Sequence, residues 1–254
     1  MRARFVDVHS HVVPSGDDGA ATLGDALELC DIAANAGTAV LFATPHVWPH
    51  LTLTDKRERD LRRAFERLRA RARLELRLGF ELTPAPPLLG EDPSRYVLEG
   101  TELVLMEVPF AGPASGLVEL AEHVEYAGLT PLIAHPERTE SVRDRPELAH
   151  ELAERWPLQV NATSLLGRHG PESEELGWRL IDAGDVAVVA SDGHRVKRPA
   201  RLDEAYELVK ARVGEDAARP LFDGSALRLE VGTASGASVS SVRPTPSRAA
   251  ARDA

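Results

Sequence analysis

Short apolar runs alternate with longer amphipathic stretches along most of the chain. This alternation is typical of a parallel β-sheet whose strands are joined by helical crossovers. A β/α barrel can occupy 254 residues as a single domain. The apolar runs predict seven strands, at Phe5–His9, Ala39–Thr44, Leu74–Phe80, Leu103–Val108, Thr130–Ala134, Leu158–Asn161 and Val186–Ala190.

The amphipathic stretches predict the helices between these strands. The first helix has Thr22 as its predicted N-cap and Gly37 as its C-terminal stop. The second is dense in Arg and Glu, which predicts a solvated face. The proline-rich segment Pro84–Pro93 predicts an irregular loop. The predicted helices span Leu23–Ala36, Asp55–Ala72, Gly116–Ala127, Pro146–Arg155, Glu174–Ala183 and Leu202–Val213.

The chain changes composition near its end. From Gly232 onward it consists mainly of Ala, Ser, Gly, Pro and Arg, with almost no residue able to anchor a core. We therefore expect one domain over residues 1–231 and a disordered tail over residues 232–254.

Composition narrows the class of protein. No apolar run approaches the roughly 18 residues of a membrane span, and the first residues lack the pattern of a secretory signal, which predicts a cytoplasmic location. The net charge of −10 argues against a nucleic-acid partner and favours a small or locally charged substrate. The single cysteine, Cys30, lies on the apolar side of the first predicted helix and is expected in the core.

Nearly every predicted strand ends in residues that can bind metal. In parallel β/α barrels the active site forms at the carboxyl ends of the strands, so these residues would converge on one cavity. The segments are Asp7-Val8-His9-Ser10-His11 with Asp17-Asp18-Gly19, Thr44-Pro45-His46, Gly79-Phe80-Glu81, Met106-Glu107, Ala134-His135-Pro136-Glu137-Arg138 and Ser191-Asp192-Gly193-His194.

The spacing inside these segments favours metal binding. Residues two apart in an extended strand point the same way, so His9 and His11 can bind one ion together, as can Asp192 and His194. Imidazole and carboxylate groups together suit zinc, manganese or iron. Five of the nine histidines fall at strand ends, whereas His50, His123, His150 and His169 lie in helices or loops.

The number of candidate ligands exceeds what one ion takes, which predicts two or three metals. Closely spaced metals favour hydrolysis of a phosphoester by a metal-bound hydroxide. Arg138 and Arg198 follow His135 and His194 closely, so both are predicted to hold the phosphate. The alternative for each arginine is a surface salt bridge.

The motifs quoted above resemble the polymerase-and-histidinol-phosphatase (PHP) superfamily. The Asp17-Asp18-Gly19 turn is similar to its manganese-dependent bacterial tyrosine phosphatases of capsule and exopolysaccharide biosynthesis, the CpsB/YwqE type. The resemblance runs from about Arg4 to Phe222. Three features depart from the pattern: Arg195 after the last histidine motif, Asp223-Gly224 in place of Asn-Pro, and the unfamiliar segment Trp48–Thr52.

This resemblance implies a distorted seven-stranded (β/α)7 barrel with three divalent ions, usually Mn²⁺, with iron or zinc as alternatives. It implies that Arg138 and Arg198 contact phosphate, and that the substrate is a phosphotyrosine protein, with a bacterial tyrosine kinase as one candidate. The implied metal ligands are His9, His11, Asp18, His46, Glu81, Glu107, His135, Asp192 and His194.

Four alternatives are left open or disfavoured by the sequence. A phosphatase of a small phosphomonoester such as histidinol phosphate would share the metal site, and a non-catalytic metal-binding regulatory domain would share the fold. An amidohydrolase often needs a carboxylated lysine at a strand end, and Lys56, Lys197 and Lys210 are not so placed. The acidic charge disfavours a proofreading nuclease.

Overall fold

The computed structural model describes residues 4–229, so the tail predicted from Gly232 onward lies outside the described residues. The described strands are short and parallel, and helices connect most of them. The strands are β1 (Phe5–Asp7), β2 (Thr38–Ala43), β3 (His46–Val47), β4 (Glu75–Leu78), β5 (Glu81–Leu82), β6 (Leu103–Glu107), β7 (Thr130–Ala134), β8 (Leu158–Asn161) and β9 (Val186–Ala190).

The helices cover the outside of the strands and follow the predicted positions. No described helix combines the length and apolar character needed to cross a bilayer. The helices are α1 (Leu23–Asn35), α2 (Asp55–Arg69), α3 (Ser115–Tyr126), α4 (Glu140–Asp144), α5 (Glu147–Ala153), α6 (Ala162–Leu165), α7 (Pro171–Ala183), α8 (Asp203–Val213), α9 (Glu215–Ala218) and α10 (Pro220–Asp223).

The strands form two sheets that join into a ring. Their orders are β1-β2-β4 and β3-β5-β6-β7-β8-β9. A parallel bridge between Ser10 and Gly193 connects the ends of β1 and β9, where the His11 amide donates to the Gly193 carbonyl at 2.7 Å. The Gly79 amide donates to the Ala43 carbonyl at 2.9 Å. This bond connects the paired strands β2 and β4 to the paired strands β3 and β5, which follow them along the chain. The α/β barrel expected from the sequence is therefore confirmed.

Two short strands, β3 and β5, lie just beyond the predicted ends of the second and third strands, so the described residues form nine strand segments where seven were predicted. Pro45 separates β2 from β3, because proline has no amide hydrogen for the ladder. Gly79 and Phe80 separate β4 from β5. A Cβ on Gly79 would lie 2.2 Å from Leu98 Cδ2, so this close approach of the chain requires glycine.

Helix α1 begins where the sequence predicts. Thr22 accepts a hydrogen bond from the Asp25 amide at 3.2 Å, and Asp25 Oδ2 accepts one from the Thr22 amide at 3.0 Å. This capping box satisfies amides that have no partner inside the helix. Helix α7 begins three residues before the prediction, at Pro171, whose fixed φ suits the first helical position. Its last residue is Ala183, followed by Gly184 in the left-handed conformation.

Several short elements were not predicted from the sequence. Helices α4, α6, α9 and α10 were not predicted, since elements of four or five residues are too short to show a helical period. The loop predicted as irregular contains a 3₁₀ turn at Pro86–Gly90.

The strands are buried on both faces, as parallel strands in a barrel must be. Alternate residues divide between two apolar layers. Val6 and Phe42 belong to the inner layer, whereas Phe5 and Leu41 belong to the layer between strands and helices. Cys30 lies in the outer layer, and burial raises the pKa of its thiol to about 12. The prediction of a core cysteine is confirmed.

Candidate metal centre

The candidate ligands meet at the carboxyl ends of the strands. His9 and His11 follow β1, His46 begins β3, and Glu81 begins β5. Glu107 is the last residue of β6. His135 follows β7, and Asp192 and His194 follow β9. Each side chain is thus placed by the end of a buried strand, as the sequence predicts.

Glu81 lies at the centre of the cluster. Its Oε2 atom is 3.1 Å from His9 Nε2, 3.2 Å from His11 Nε2 and 2.9 Å from His46 Nδ1. Its Oε1 atom is 2.9 Å from His135 Nε2. Four imidazoles from three different strand ends therefore surround one buried carboxylate.

Two aspartates complete the cluster. Asp192 Oδ1 lies 3.5 Å from His9 Nε2, 3.4 Å from His11 Nε2 and 3.4 Å from His194 Nδ1. Asp18, which is half exposed, reaches in from the loop after His11, and its Oδ1 lies 3.2 Å from His194 Nε2. Three groups could each hold an ion: His11, Asp18, His46 and His194; His9, Glu81 and His135; and His9, His11 and Asp192.

Glu107 lies in the same cavity but outside these three groups. The Thr83 hydroxyl donates a hydrogen bond to Glu107 Oε1, and Oε2 is buried without a hydrogen-bond partner. Burial and then the neighbouring Glu81 charge raise the pKa of Glu107 to about 8. A cation bound nearby would relieve this unbalanced charge.

Several buried polar atoms fit a bound metal. Glu81 Oε2, His11 Nδ1, His46 Nδ1 and His135 Nδ1 make no well-aligned hydrogen bond within the described residues, although Glu81 Oε2 and His46 Nδ1 lie 2.9 Å apart. Such atoms are costly to bury unless something binds them. Burial alone would raise the pKa of Glu81, but the surrounding histidines, His9 first, lower it well below its usual range. The donor set is nitrogen and oxygen, which suits manganese, iron or zinc.

Two of the candidate ligands have unusual backbone conformations. His135 has φ of 35° and Asp192 has φ of 51°, in the left-handed region that non-glycine residues seldom occupy. Strain of this kind persists where the surrounding structure holds it, and it concentrates at functional sites. Here it turns each chain sharply after its strand, so that both side chains point into the cluster.

A chain of amide hydrogen bonds supports the cluster from β8. Gln159 Oε1 lies 2.9 Å from His9 Nδ1, and Gln159 Nε2 donates to Asn161 Oδ1 at 2.7 Å. Asn161 Nδ2 in turn donates to Asp192 Oδ2 at 2.8 Å. The bond to Gln159 places the His9 proton on Nδ1 and leaves Nε2 free to bind a cation.

Asp17, the residue before Asp18, supports two of the histidines. Its Oδ2 accepts a hydrogen bond from the His46 amide at 3.1 Å and lies 3.7 Å from His11 Nδ1. Burial raises its pKa, but contact with His11 outweighs burial and lowers it well below the usual range. Asp17 therefore stays charged and orients the ring of His11.

Both predicted phosphate-binding arginines line the cavity, whose volume is 330 Å³. Arg138 Nη1 donates to Asp192 Oδ2 at 2.7 Å, and its guanidinium lies 4.8 Å from the centre of the Phe110 ring. Arg198 Nη2 lies 3.1 Å from Asp192 Oδ1 and also contacts the His194 ring. Two positive charges therefore stand beside the carboxylate and histidine cluster.

Part of this site was not predicted from the sequence. Gln159 and Asn161 were assigned to a strand and given no role, although two amides at alternate positions of a buried strand are a signal of inward-facing polar groups. Phe110 and Thr83 were not singled out at all. Trp48, noted from the sequence only as part of an unfamiliar segment, lines the cavity.

Comparison with known proteins identifies the family. A family profile described as "Capsular polysaccharide synthesis, CpsB/CapC" matches residues 5–229. The chain belongs to the CpsB/CapC family. It is 30% identical over 240 residues to the tyrosine-protein phosphatase YwqE of Bacillus subtilis (strain 168), covering 89% of this chain and 91% of YwqE. It is 25% identical to the tyrosine-protein phosphatase CpsB of Streptococcus agalactiae serotype III (strain NEM316), covering 86% and 95% of the two chains.

Solved structures agree with this assignment. The chain matches a structure from work on YwqE of Bacillus subtilis and CpsB of Streptococcus pneumoniae, described as unique metal-dependent tyrosine phosphatases. The TM-score is 0.73 at 26% identity, covering 85% of this chain and 90% of the other. A mutant organophosphorus hydrolase of Deinococcus radiodurans, with a TM-score of 0.55 at 12% identity and coverage of 91% and 97%, shares the fold alone. The resemblance noted in the sequence is confirmed, and the family is metal-dependent.

Proposed function

We propose that this protein is a manganese-dependent phosphatase that removes phosphate from phosphotyrosine in a protein, in the regulation of capsule or exopolysaccharide synthesis. The observation that carries the proposal is a single cavity in which two arginines stand beside a buried cluster of histidines and carboxylates. Relatives named as tyrosine-protein phosphatases cover most of the chain, which favours this activity over the small-metabolite and regulatory alternatives.

The proposed ligands are the nine residues implied by the resemblance. Three groups of side chains that can each hold an ion support a centre of three metals. His9 and His11 each belong to two of these groups, and each ring would bind one of the ions through a single nitrogen. Glu107 would join them from the end of β6. When bound, the ions would supply positive charge that polarises the phosphoryl group and lowers the pKa of water.

The two arginines are proposed to bind the phosphate. Arg138 is held in place by its bond to Asp192 and by the Phe110 ring, so its guanidinium is ordered before substrate arrives. Arg198 approaches the same carboxylate from the opposite oxygen. A guanidinium can bind two phosphate oxygens at once and stays charged at any physiological pH, so the pair can neutralise charge as the ester bond breaks.

The rest of the site keeps the ligands in the right protonation state. The Gln159 carbonyl fixes the proton of His9 on Nδ1, and charged Asp17 orients His11. Burial, chiefly, lowers the pKa of His194 to about 4, so its ring is neutral at physiological pH and can bind a cation. The substrate is proposed to be a phosphotyrosine protein, with a bacterial tyrosine kinase as the candidate partner.

A substrate comparison tests this function. The purified protein is stripped with a chelator, reloaded with Mn²⁺, and assayed on a phosphotyrosine peptide beside histidinol phosphate. We expect activity to require the metal and the peptide to be preferred by about tenfold or more in kcat/KM, or about 1.4 kcal/mol in the transition state. A preference for histidinol phosphate, or inactivity with manganese, iron and zinc alike, would contradict the proposal.

A further inference from the structure

The mouth of the metal cavity carries two aromatic side chains that the metal site does not use. Phe110 is 45% exposed, although large apolar residues are usually covered. Trp48 is half-buried. Both line the 330 Å³ cavity together with Arg138 and His194.

Each aromatic ring is fixed by a residue of the site. The Phe110 ring is stacked on His135, with 5.6 Å between ring centres and 13° between planes, and Arg138 covers it. Trp48 is stacked on His46, with ring centres 4.2 Å apart, and on His50 at 5.2 Å. Because each ring rests on a candidate metal ligand, neither can move far from the phosphate-binding end of the cavity.

From this arrangement we propose that Trp48 and Phe110 form an aromatic clamp that binds the aryl ring of the substrate and so selects aryl phosphates over alkyl phosphates. The inference rests on the proposed phosphatase function. In phosphotyrosine the ring is joined to the phosphate through a single oxygen. A phosphate held by Arg138 and Arg198 therefore leaves the ring in the same cavity, which Trp48 and Phe110 also line.

The clamp is expected to contribute by contact between the substrate ring and the uncovered parts of the two aromatic rings, and by removing the substrate ring from water. Each aromatic pair typically strengthens binding by about 2- to 12-fold beyond the effect of burying apolar surface. An alkyl phosphate of serine or of a sugar has no aromatic ring to place between Trp48 and Phe110, so it gains no affinity from these contacts. The segment from Trp48 to Thr52 matches no familiar family pattern, and its first residue is now assigned a role in substrate selection.

Direct binding of two small probes tests the clamp without relying on turnover. Phenylphosphonate and methylphosphonate both present a phosphonate, and only the first carries a ring. Each is titrated calorimetrically into the Mn²⁺-loaded full chain, for the natural sequence and for Trp48→Ala and Phe110→Ala. We expect Trp48→Ala to bind phenylphosphonate about 2- to 12-fold more weakly, with methylphosphonate binding and metal content unchanged. Phe110→Ala also removes the ring under Arg138, so it should weaken both probes, and phenylphosphonate by the larger factor.

Matched variants separate stacking from other effects. Tyr126→Ala removes an aromatic ring that is 93% exposed at the end of α3, away from the cavity, and should change neither probe. Phe110→Tyr keeps a ring and should restore binding of phenylphosphonate. Circular dichroism and elemental analysis confirm that each variant is folded and loaded with metal.

Other outcomes would overturn the clamp. Equal loss of both probes would show that the rings act through Arg138 or His46, and unchanged binding of phenylphosphonate would show that they do not touch the ring. If the natural sequence binds both probes alike, no clamp exists. A protein that binds phenylphosphonate through these rings but does not hydrolyse phosphotyrosine peptide would disprove the proposed function and leave the clamp standing.

Discussion

Arg138 combines two roles in one side chain, because it neutralises Asp192 and faces the cavity. We expect Arg138→Ala to retain its metals, since Asn161 still donates to the same carboxylate oxygen. Loss of one such contact typically costs about 2–4 kcal/mol in the transition state, or roughly thirty- to a thousandfold in kcat/KM. Steady-state kinetics on a phosphotyrosine peptide, with elemental analysis, measures both effects. Activity equal to that of the natural sequence would show that Arg138 forms only an ion pair and does not act on the substrate.

Gln159 supports the candidate metal centre from outside the set of proposed ligands. Gln159→Leu removes the acceptor for His9 Nδ1 and leaves Asn161 without its donor. We expect the affinity for Mn²⁺ to fall about 10- to 100-fold, the usual loss when a partner of a ligating histidine is removed. Gln159→Glu keeps an acceptor at this position and should restore most of the affinity. Equal weakening in both variants would mean that the strand is merely disturbed, and metal titration followed by calorimetry distinguishes the two cases.

At the scale of single residues, the sequence predicts which side chains gather in the cluster better than which side chains support them by hydrogen bonds. His9, His11 and Glu81 could be recognised because each stands at the end of an apolar run, where a barrel brings strand ends together. The amide chain from Gln159 through Asn161 to Asp192 could not be recognised, since it depends on which residues of β8 and β9 face each other across the barrel. That pairing is a property of the closed ring of strands.

Among the connecting elements, the loop between β1 and α1 brings Asp17 and Asp18 to the cluster through a tight turn. A Cβ on Gly19 would lie 2.3 Å from the His11 carbonyl oxygen and 2.6 Å from His11 Cβ. We expect Gly19→Ala to push the turn away from His11, to lower the free energy of unfolding by about 1–3 kcal/mol, and to weaken Mn²⁺ binding.

Gly24 offers the matched control for this substitution, five residues further along the chain. In α1 its Cβ would have Thr22 Oγ1, at 3.6 Å, as its nearest neighbour, which is an ordinary contact. Gly24→Ala should leave the protein as stable as before or more stable, with metal content unchanged. Urea denaturation and elemental analysis of both variants test the pair. If Gly19→Ala behaved like Gly24→Ala, the turn would be free to shift, and the argument from close packing would fail.

The elements themselves were predictable where one local signal dominates. Strands β7, β8 and β9 have the predicted bounds because each is a short apolar run between turns. Thr22, the predicted N-cap, marks the start of α1. The breaks at Pro45 and Gly79 were not predicted, although both residues are visible in the sequence. Their effect depends on pairing in the neighbouring strand and on the approach of Leu98, which are features of the tertiary structure.

Across the whole molecule, the interior of the barrel changes from apolar to charged along its axis. The inner layer consists of residues such as Val6, Phe42 and Leu105, and the carboxylates Glu81, Glu107 and Asp192 lie buried at its carboxyl end. Buried carboxylates destabilise a fold unless cations or hydrogen bonds balance them. The fold of the metal-free protein should therefore depend on proton uptake at this end, and bound ions should take over that role.

The difference in thermal stability between metal-loaded and metal-free protein should widen as pH rises. The pKa of Glu107 is raised from 4.5 to about 8, so the folded metal-free protein binds this proton more tightly than the unfolded chain does. That contribution to stability is complete below about pH 4.5 and is lost as pH rises through about 8. Glu81 and Asp192 have lowered pKa values, so both stay charged throughout the upper part of this pH range. Their contribution to stability is therefore constant there and does not change the expected dependence on pH.

A bound ion replaces the proton, so the metal-loaded protein should not show this loss. Melting temperatures measured with Mn²⁺ and with a chelator, at steps between about pH 7 and about pH 8.5, give the difference directly. Glu107→Gln removes this titrating group, and the metal-free form of this variant should lose less stability over the same steps. A difference that stays constant or narrows with rising pH in the natural sequence would show that the Glu107 carboxylate is balanced by protein groups and does not depend on metal.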